Sequence, residues 1–253
     1  MDDLVLLALD GSASRTLVKG PFRNRAAAWS PDGRAIAFPS DREGKYEIWS
    51  IGADGGDLRR VLRAASPLLG PAWSPDGSRL IALEVSEAPG IVVHRLSDPP
   101  DQYERLPKLP DGDSPGWGTW SRAGEAIFTV GNQGSLWKWS FAERSYRRLP
   151  WSNTATLADV EGELPDGRLV VVAETLAAQG GAGIAVSAEA GRPRIRLEVL
   201  VLDPKSGETR VLWATPGAYR PGLGLDPVQR SLWIIRWQEE ADLWIARSAE
   251  APR

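Results

Sequence analysis

The chain has 253 residues, of which 42% are hydrophobic and 25% are charged, so it can bury a full core as one large all-β domain. Its 30 Lys and Arg residues stand against 33 Asp and Glu residues, so it lacks the basic surplus that binding to nucleic acid or anionic membranes needs. The absence of cysteine excludes disulfides, thiolate zinc sites and cysteine nucleophiles.

The first predicted elements are two short strands within residues 3–18. The apolar segment after Asp3 and the segment from Arg15 to Val18 have the pattern of the third and fourth strands of a four-stranded unit. No first pair of strands precedes them. We therefore expect a half-blade at residues 3–18, with an exposed strand edge that favours self-association or pairing with another chain.

A hexamer occurs twice in the next part of the chain, as Ala-Trp-Ser-Pro-Asp-Gly at residues 28–33 and at residues 72–77. Proline presets φ, aspartate bonds backbone amides and glycine accepts positive φ, so the motif predicts a tight turn after an innermost strand. The tryptophan is large enough to fill the space between neighbouring sheets. With the weaker later copies, the repeat residues are Trp29, Pro31, Asp32, Gly33, Trp73, Pro75, Asp76, Gly77, Trp120, Gly124, Pro165, Asp166 and Gly167.

Each copy is followed by an alternating apolar strand, then by a second one and, in most units, by a short final strand. Four short strands that recur roughly every 40–50 residues are typical of a β-propeller blade. We therefore predict an all-β fold, a single β-propeller domain of four-stranded blades over residues 1–253. The repeats lie at about residues 26–63, 70–107, 117–149, 155–213 and 221–247.

The sequence Trp-Ser-Pro-Asp-Gly, the apolar strand after it and the segment from Tyr46 to Leu62 together resemble the PD40 repeat of TolB-like β-propellers. The match is close in residues 26–63 and 70–107 and recognisable in the third repeat. The chain lacks the Gly-His and Trp-Asp pairs of the WD40 class. The resemblance implies a propeller, commonly of six blades, and favours a periplasmic or extracellular location.

Two ways of closing the propeller stay open. Residues 15–18 complete the last blade as its fourth strand, which gives five blades, or residues 3–18 are the remnant of a sixth blade whose first strands lie upstream. The longest early apolar run, from Leu4 to Leu9, is too short for a signal or membrane-spanning segment, so we expect no export signal within this chain. The chain could then be the sensor or extracytoplasmic part of a larger anchored protein.

Few residues are suited to catalysis or to cofactor binding. His94 is the single histidine and lies in an apolar strand, so we expect it to be structural. One histidine without cysteine cannot build the several-histidine metal site of the PD40-related oligogalacturonate lyases. The acidic turns from Asp98 to Asp101 and from Asp111 to Asp113 lack the ligand spacing of a calcium loop. We expect no cofactor, no metal and no enzymatic activity.

The loops before the first strands and between the second and third strands gather on one face of a propeller. Here they contain the aromatic and arginine residues that dominate interaction hot spots. We predict that a protein, peptide or glycan partner binds this face without being turned over; the alternative is that Trp117 and Trp151 pack under neighbouring loops. The predicted partner-binding residues are Arg23, Arg25, Trp117, Trp151, Tyr219 and Arg220.

A different class of function, glycan or peptide processing, would use loop carboxylates. The candidates are Asp41, Glu43 and Glu84, and a glycosidase needs two such groups roughly 5–10 Å apart. Residues 173–196 form an insertion in the fourth repeat. Long insertions in a propeller often carry function, but the sequence favours a longer hairpin or loop without a role.

Overall fold

The computed structural model describes residues 2–7, 13–24, 26–176, 195–215, 222–226, 231–236 and 242–246. Within these ranges the regular structure is β-strand apart from one 3-10 turn at Pro110–Gly112, which confirms the all-β prediction. No helix in them is long and apolar enough to cross a membrane. The chain divides into two compact units, residues 1–133 with 137–147, and residues 134–136 with 148–253.

The first unit contains a two-stranded sheet followed by three antiparallel four-stranded sheets. In each four-stranded sheet the strands are hydrogen bonded in chain order, as in a propeller blade. The third of these sheets shares residues 136 and 148 with the second unit. The strands are β1 (Leu4–Leu7) and β2 (Ser14–Val18); β3 (Ala28–Trp29), β4 (Ala35–Ser40), β5 (Glu47–Gly52) and β6 (Arg59–Leu62); β7 (Leu68–Trp73), β8 (Arg79–Glu84), β9 (Gly90–Arg95) and β10 (Glu104–Arg105); β11 (Pro115–Trp120), β12 (Ala126–Gly131), β13 (Leu136–Ser140) and β14 (Ser145–Arg148).

The second unit contains an antiparallel four-stranded sheet and, as far as the structure describes it, a three-stranded sheet. β16 and β17 pair without interruption as far as Leu176 opposite Ile195, so both strands extend into the predicted insertion. Positions 177–194 of that insertion lie outside the described residues. The strands are β15 (Thr156–Glu163), β16 (Leu169–Leu176), β17 (Ile195–Leu202) and β18 (Thr209–Thr215); β19 (Gly222–Asp226), β20 (Ser231–Arg236) and β21 (Asp242–Ala246).

The two ends of the chain bear on the number of blades. β2 pairs with β1, with Ser14 opposite Leu7 and Val18 opposite Leu4, and the two form a sheet of their own. At the other end β19, β20 and β21 are hydrogen bonded in that order. The choice between five and six blades, and the single-domain organisation, stay predictions.

The repeated hexamer forms the same turn each time. The N–H of Gly33 donates to the carbonyl of Ser30 at 2.9 Å, and the bond from Gly77 to the carbonyl of Ser74 is 2.8 Å long. Both glycines have positive φ, 69° and 70°, a conformation that a side chain disfavours. The turn is therefore fixed locally, by the glycine and by the backbone bond that spans it.

The aspartate of the hexamer closes the turn with its side chain. Oδ1 of Asp76 accepts hydrogen bonds from Oγ of Ser74 at 2.5 Å and from the N–H of Ser78 at 3.0 Å. These bonds favour the ionised carboxylate and lower the pKa of Asp76 to about 2, with the bond from Ser74 as the largest cause. The corresponding bond from Ser30 lowers the pKa of Asp32.

Neighbouring sheets of the first unit pack through apolar clusters. The β1–β2 hairpin contributes Val18 to a cluster with Phe38 of the next sheet. The β3–β6 and β7–β10 sheets share a cluster that includes Ile48 and Leu80, and a third cluster that includes Trp139 joins the β7–β10 and β11–β14 sheets. Because burial stabilises by about 25 cal/mol per Å² of apolar surface, these contacts between faces hold the sheets together.

The repeat tryptophans connect successive sheets. Nε1 of Trp73 donates to the carbonyl of Ala28 at 3.1 Å, and Nε1 of Trp120 donates to the carbonyl of Ala72 at 3.1 Å. Each indole thus reaches the innermost strand of the preceding sheet. Trp29 is 49% exposed, so the expectation that it fills the space between two sheets is wrong. Trp73 and Trp120 each bond to the first strand of the four-stranded sheet before them, whereas Trp29 belongs to the first four-stranded sheet that the structure describes.

Candidate functional site

A cleft of about 510 Å³ lies within the second unit, where residues 134–136 at the β12–β13 turn meet the linker from β14 to β15. In an antiparallel sheet of this order, the turn between the second and third strands lies at the same end as the exit from the fourth strand. The topology therefore brings the two segments together. We call this site the linker cleft; it is lined by Gly134, Ser135, Leu136, Arg148, Leu149, Pro150 and Trp151.

Hydrogen bonds hold the linker in position. Nε1 of Trp151 donates to the carbonyl of Ala155 at 2.9 Å, which orients the indole at the wall of the cleft. Oγ of Ser152 donates to the carbonyl of Gly207 at 2.6 Å and ties the linker to the β17–β18 turn. Gly207 has φ of 79°, and a Cβ at this position would come within 3.1 Å of Pro150. The two hydrogen bonds and the close approach of Gly207 to Pro150 therefore fix the position of the linker at the cleft.

The accessible apolar surface of the linker cleft comes from Pro150 and Trp151, because the two leucines behind them have almost no exposed surface. Leu136 and Leu149 are buried, and the N–H of Leu149 donates to the carbonyl of Leu136 at 2.8 Å. The exposed Pro150 and the half-buried Trp151 add apolar surface to the wall, while Arg148 is exposed. A concave apolar surface with a small number of polar groups is the usual composition of a ligand-binding site.

Two predicted partner-binding residues lie in the described part of the first unit. Trp117 is 49% exposed and its indole lies over Gly70, where a Cβ would come within 2.9 Å of the ring. Arg23 is exposed, and its N–H donates to Oδ1 of Asp41 at 2.8 Å. Trp117 and Arg23 therefore contact different parts of the chain, Gly70 and Asp41 respectively. Arg25, Tyr219 and Arg220 lie outside the described residues.

The three loop carboxylates that sequence reasoning offered for catalysis have different surroundings. Glu84 is buried and forms an ion pair with Arg105, whose guanidinium also donates to a backbone carbonyl. Asp41 accepts the bond from Arg23, and Glu43 is exposed. Two of the three carboxylates therefore have structural partners.

His94 and the acidic turns are engaged in local contacts. His94 is 1% exposed, and its Nδ1 donates to the carbonyl of Gln102 at 2.8 Å. Asp101 forms an ion pair with Arg63 at 3.3 Å, and Asp113 is buried. In the part of the chain that the structure describes, no three His, Cys, Asp or Glu side chains are grouped to hold a metal ion.

Sequence reasoning missed a pair of carboxylates on β15. Burial, and then the neighbouring Asp159 carboxylate, raise the pKa of Glu161 to about 8. The register of β15 shifts between Val160 and Gly162, so Glu161 lies in a β-bulge. Both carboxylates take part in further interactions of the fold. The sequence signal for this pair was the acidic residues at alternate positions from Asp159 to Glu163. They lie in a strand whose residues there alternate between buried and half-buried.

Comparisons with known proteins support the assignment of the fold. No protein-family model matches the chain. The Bacillus subtilis protein called uncharacterized peptidase YuxL is 37% identical over 87 residues, which make up 34% of this chain and 13% of that protein. The Tol-Pal system protein TolB of Anaeromyxobacter dehalogenans is 44% identical over 85 residues, 34% of this chain and 19% of that protein.

Solved structures are similar over nearly the whole chain. TolB from Acinetobacter baumannii superposes with a TM-score of 0.69 at 19% identity, covering 97% of this chain and 57% of that one. An oligogalacturonate lyase in complex with manganese has a TM-score of 0.63 at 14% identity, covering 96% of this chain and 67% of that one. At such identities the likeness concerns the fold alone.

The repeated turns, the four-stranded sheets and these neighbours define a β-propeller built of PD40-type repeats. Within that class the chain is similar in fold to TolB of Acinetobacter baumannii and, over about a third of its length, in sequence to TolB of Anaeromyxobacter dehalogenans. The matched segments span less than a fifth of the two curated relatives named above.

Proposed function

We propose that this chain is a non-catalytic binding propeller, and that a protein, peptide or glycan partner binds at the linker cleft beside Trp151. The observation that carries the proposal is the cleft itself, which combines an exposed proline, an indole held by a hydrogen bond and an exposed arginine. Tryptophan and arginine in a preformed pocket are the residues in which binding energy concentrates. Trp117, Arg23, Arg25, Tyr219 and Arg220 are further proposed contacts.

The relatives include proteins of both kinds and do not favour the enzyme over the binding protein. One relative is named as a Tol-Pal system protein, whereas others are named as a peptidase or a lyase. The alternative function, processing of a glycan or peptide by loop carboxylates, is weakened because Asp41 and Glu84 already have structural partners. We also propose a periplasmic or extracellular location, and the sensor part of a larger anchored protein is the second alternative.

A comparison of three proteins tests the site. We expect Trp151→Ala to lose at least about 2 kcal/mol of partner binding, roughly a 30-fold weaker Kd. Trp29→Ala, which removes an exposed tryptophan outside the cleft, is the matched control and should bind as the native chain does. Partners recovered with the native protein are identified by mass spectrometry, and each affinity is then measured by calorimetry, after circular dichroism has shown that both variants are folded.

Two outcomes would decide against the proposal. Equal recovery of every partner by the native chain and by Trp151→Ala would remove the linker cleft as the binding site. Turnover of a captured glycan or peptide by the native chain would make the processing enzyme the better description.

Self-association through the half-blade is a separate proposal. The hairpin contributes an apolar strand, β1, in which Val5 is 45% exposed, and an apolar strand edge favours pairing with a second chain. We expect Val5→Lys to shift a dimer towards monomer in sedimentation velocity, because a charge on an edge strand opposes such pairing. A native chain that is monomeric at all concentrations would contradict the proposal.

A further inference from the structure

A second cleft, of about 270 Å³, lies within the first unit, between the β7–β10 sheet and the residue that directly follows β13, Phe141. Arg79, the first residue of β8, and Arg95, the last residue of β9, are directly opposite each other in the sheet and both line this cleft. Opposite side chains on neighbouring antiparallel strands share one face, so two positive charges lie close together. We call this site the arginine cleft; its lining also includes Asp98, Tyr103 and Glu104.

The repeats show that the fold does not require arginine at this position. In each of the first three four-stranded sheets, the N–H of the first residue of the second strand donates, at 2.9 Å, to Oγ of the serine that follows the repeat tryptophan. That first residue is Ala35 in the first sheet and Ala126 in the third, and Gly52 lies opposite Ala35. Like charges that are directly opposite destabilise a sheet. The pair of Arg79 and Arg95 therefore opposes folding where other repeats have small residues.

The guanidinium of Arg79 is held in place by the next sheet. Its Cζ lies 4.5 Å from the ring centre of Trp120 and 4.8 Å from that of Phe141, and its Nη2 donates to the carbonyl of Gly124 at 2.7 Å. The pKa of Asp76 is lowered first by hydrogen bonds of its own turn and last by the charge of Arg79, so the pairing of these two side chains is weak. A guanidinium fixed in this way loses little further freedom when it binds a ligand.

The carboxylates at the arginine cleft do not neutralise the two arginines. Glu104 forms an ion pair with Arg144 at 2.9 Å. Asp98 is half-buried and accepts a hydrogen bond from the adjacent serine at 3.1 Å. Among the residues that the structure describes, no carboxylate forms an ion pair with Arg79 or with Arg95. The cleft thus combines two unpaired cations with one carboxylate that can accept further hydrogen bonds.

We propose that the arginine cleft binds a phosphate group between Arg79 and Arg95. The phosphate oxygens accept hydrogen bonds from the two guanidinium groups, whose planar forks suit phosphate, and the negative charge of the ligand offsets the repulsion between them. Asp98 accepts a hydrogen bond from the P–O–H group, because inorganic phosphate keeps a proton at neutral pH. Sulfate has no such proton and would be repelled by Asp98. The inference concerns a second site and does not depend on the proposed function.

Titrations with inorganic phosphate and with sulfate test the ligand, with chloride holding the ionic strength constant so that screening does not change. Binding is followed through the side-chain Nε–H signals of Arg79 and Arg95 in nuclear magnetic resonance spectra, assigned by their loss in Arg79→Lys and Arg95→Lys. We expect phosphate to bind about 10-fold more tightly than sulfate, since it makes one more hydrogen bond to a charged group. Asp98→Asn should remove this preference.

Phenyl phosphate distinguishes the two sources of a phosphate group. Phe141 and Tyr103 line the cleft, so the organic part of a phosphate ester would have ring faces to contact. Tighter binding of phenyl phosphate than of inorganic phosphate would identify an ester as the ligand, and weaker binding would identify the free ion.

Two arginine variants separate this site from general charge effects. Arg95→Gln should weaken phosphate binding by about 10-fold, because one of the two guanidinium groups is lost. Arg147→Gln is the matched control, because Arg147 is also exposed but does not line the cleft, and it should bind as the native chain does. Without phosphate, Arg95→Gln should melt at least as high as the native chain, since the repulsion is relieved. With saturating phosphate, the native chain should melt higher.

Four outcomes would count against the inference. If phosphate shifts neither arginine signal, or if Arg95→Gln and Arg147→Gln weaken binding equally, the site is overturned. Equal affinity of the native chain for phosphate and sulfate would overturn the role of Asp98. A lower melting temperature of Arg95→Gln in the absence of phosphate would show that Arg95 stabilises the fold by itself, and would overturn the argument from repulsion.

Discussion

Trp73 and Trp29 belong to identical hexamers, yet their surroundings differ. Trp73 packs against the cluster between the first two four-stranded sheets and donates to the carbonyl of Ala28, whereas Trp29 is about half exposed. The turns that follow them are alike, with φ of 69° at Gly33 and 70° at Gly77. The hexamer therefore sets the turn locally, while the burial of its tryptophan is set by residues outside the hexamer.

The largest expected effect is the difference between the two tryptophans. Trp73→Ala should lower the free energy of unfolding by about 3–5 kcal/mol, as truncation of a packed aromatic side chain does. Trp29→Ala should stay within about 0.5 kcal/mol, as for a surface substitution. Denaturant titrations of both variants measure the two values. Equal losses would mean that Trp29 is covered in solution and would end the comparison.

The turn glycines should behave alike, in contrast to the tryptophans. Gly33→Ala and Gly77→Ala should each cost about 1–2 kcal/mol, because both positions hold a left-handed conformation that a Cβ disfavours. Neither new methyl group would meet an atom closer than 3.9 Å, so crowding adds nothing. The midpoints of urea unfolding check the prediction. A loss at Gly77 several times that at Gly33 would show that the turn is not set locally.

The hydrogen bonds between sheets can be tested without removing the ring. Trp73→Phe and Trp120→Phe each remove the indole N–H that reaches the preceding sheet, and should cost about 1 kcal/mol for that bond in addition to the smaller ring. Trp139→Phe, at a buried indole whose N–H has no hydrogen-bond partner among the described residues, is the control for the loss of ring size. Thermal unfolding of the three variants measures the difference. If all three lose the same amount, the bonds between sheets contribute nothing.

The smallest effect concerns the aspartates of the two turns. Because the pKa of Asp76 is lowered to about 2 from 3.8, its carboxylate contributes stability above pH 4 that is lost as the pH falls towards 2. Asp76→Asn should therefore be slightly less stable than the native chain at pH 7, and the difference should vanish near pH 2. Asp32→Asn should follow the same direction. Unfolding midpoints at intervals from pH 7 to pH 2 check both variants.

Local patterns in the sequence were sufficient for the fold, because a turn with Pro, Asp and Gly is determined within six residues. The same reasoning failed for Trp29, whose burial depends on strands that are not in its own repeat. It also began the insertion at residue 173, whereas β16 continues to Leu176, since Glu174 and Thr175 break the apolar run while pairing with β17 still holds them in the sheet.

The linker cleft was only partly predictable. Trp151 was predicted to bind a partner because aromatic residues in loops are enriched at interaction hot spots, but Gly134 and Leu136 carry no signature of a binding site. What joins these positions is the return of the chain after β14 to the end of the sheet where β13 begins, and the packing of Pro150 against Gly207. Contacts between residues so far apart depend on tertiary packing, which a short sequence window does not contain.

The hydrogen bonds from the repeat tryptophans also imply an order in which the sheets are completed during synthesis. The carbonyl of Ala28 receives its donor from a residue 45 positions later, and the carbonyl of Ala72 from one 48 positions later. On a ribosome, each sheet thus waits for the following repeat to emerge, a delay of roughly 2–10 s at about 5–20 residues per second. During that interval the newest sheet has one face open to chaperones and to misassembly, and the molecule matures one repeat behind its own synthesis.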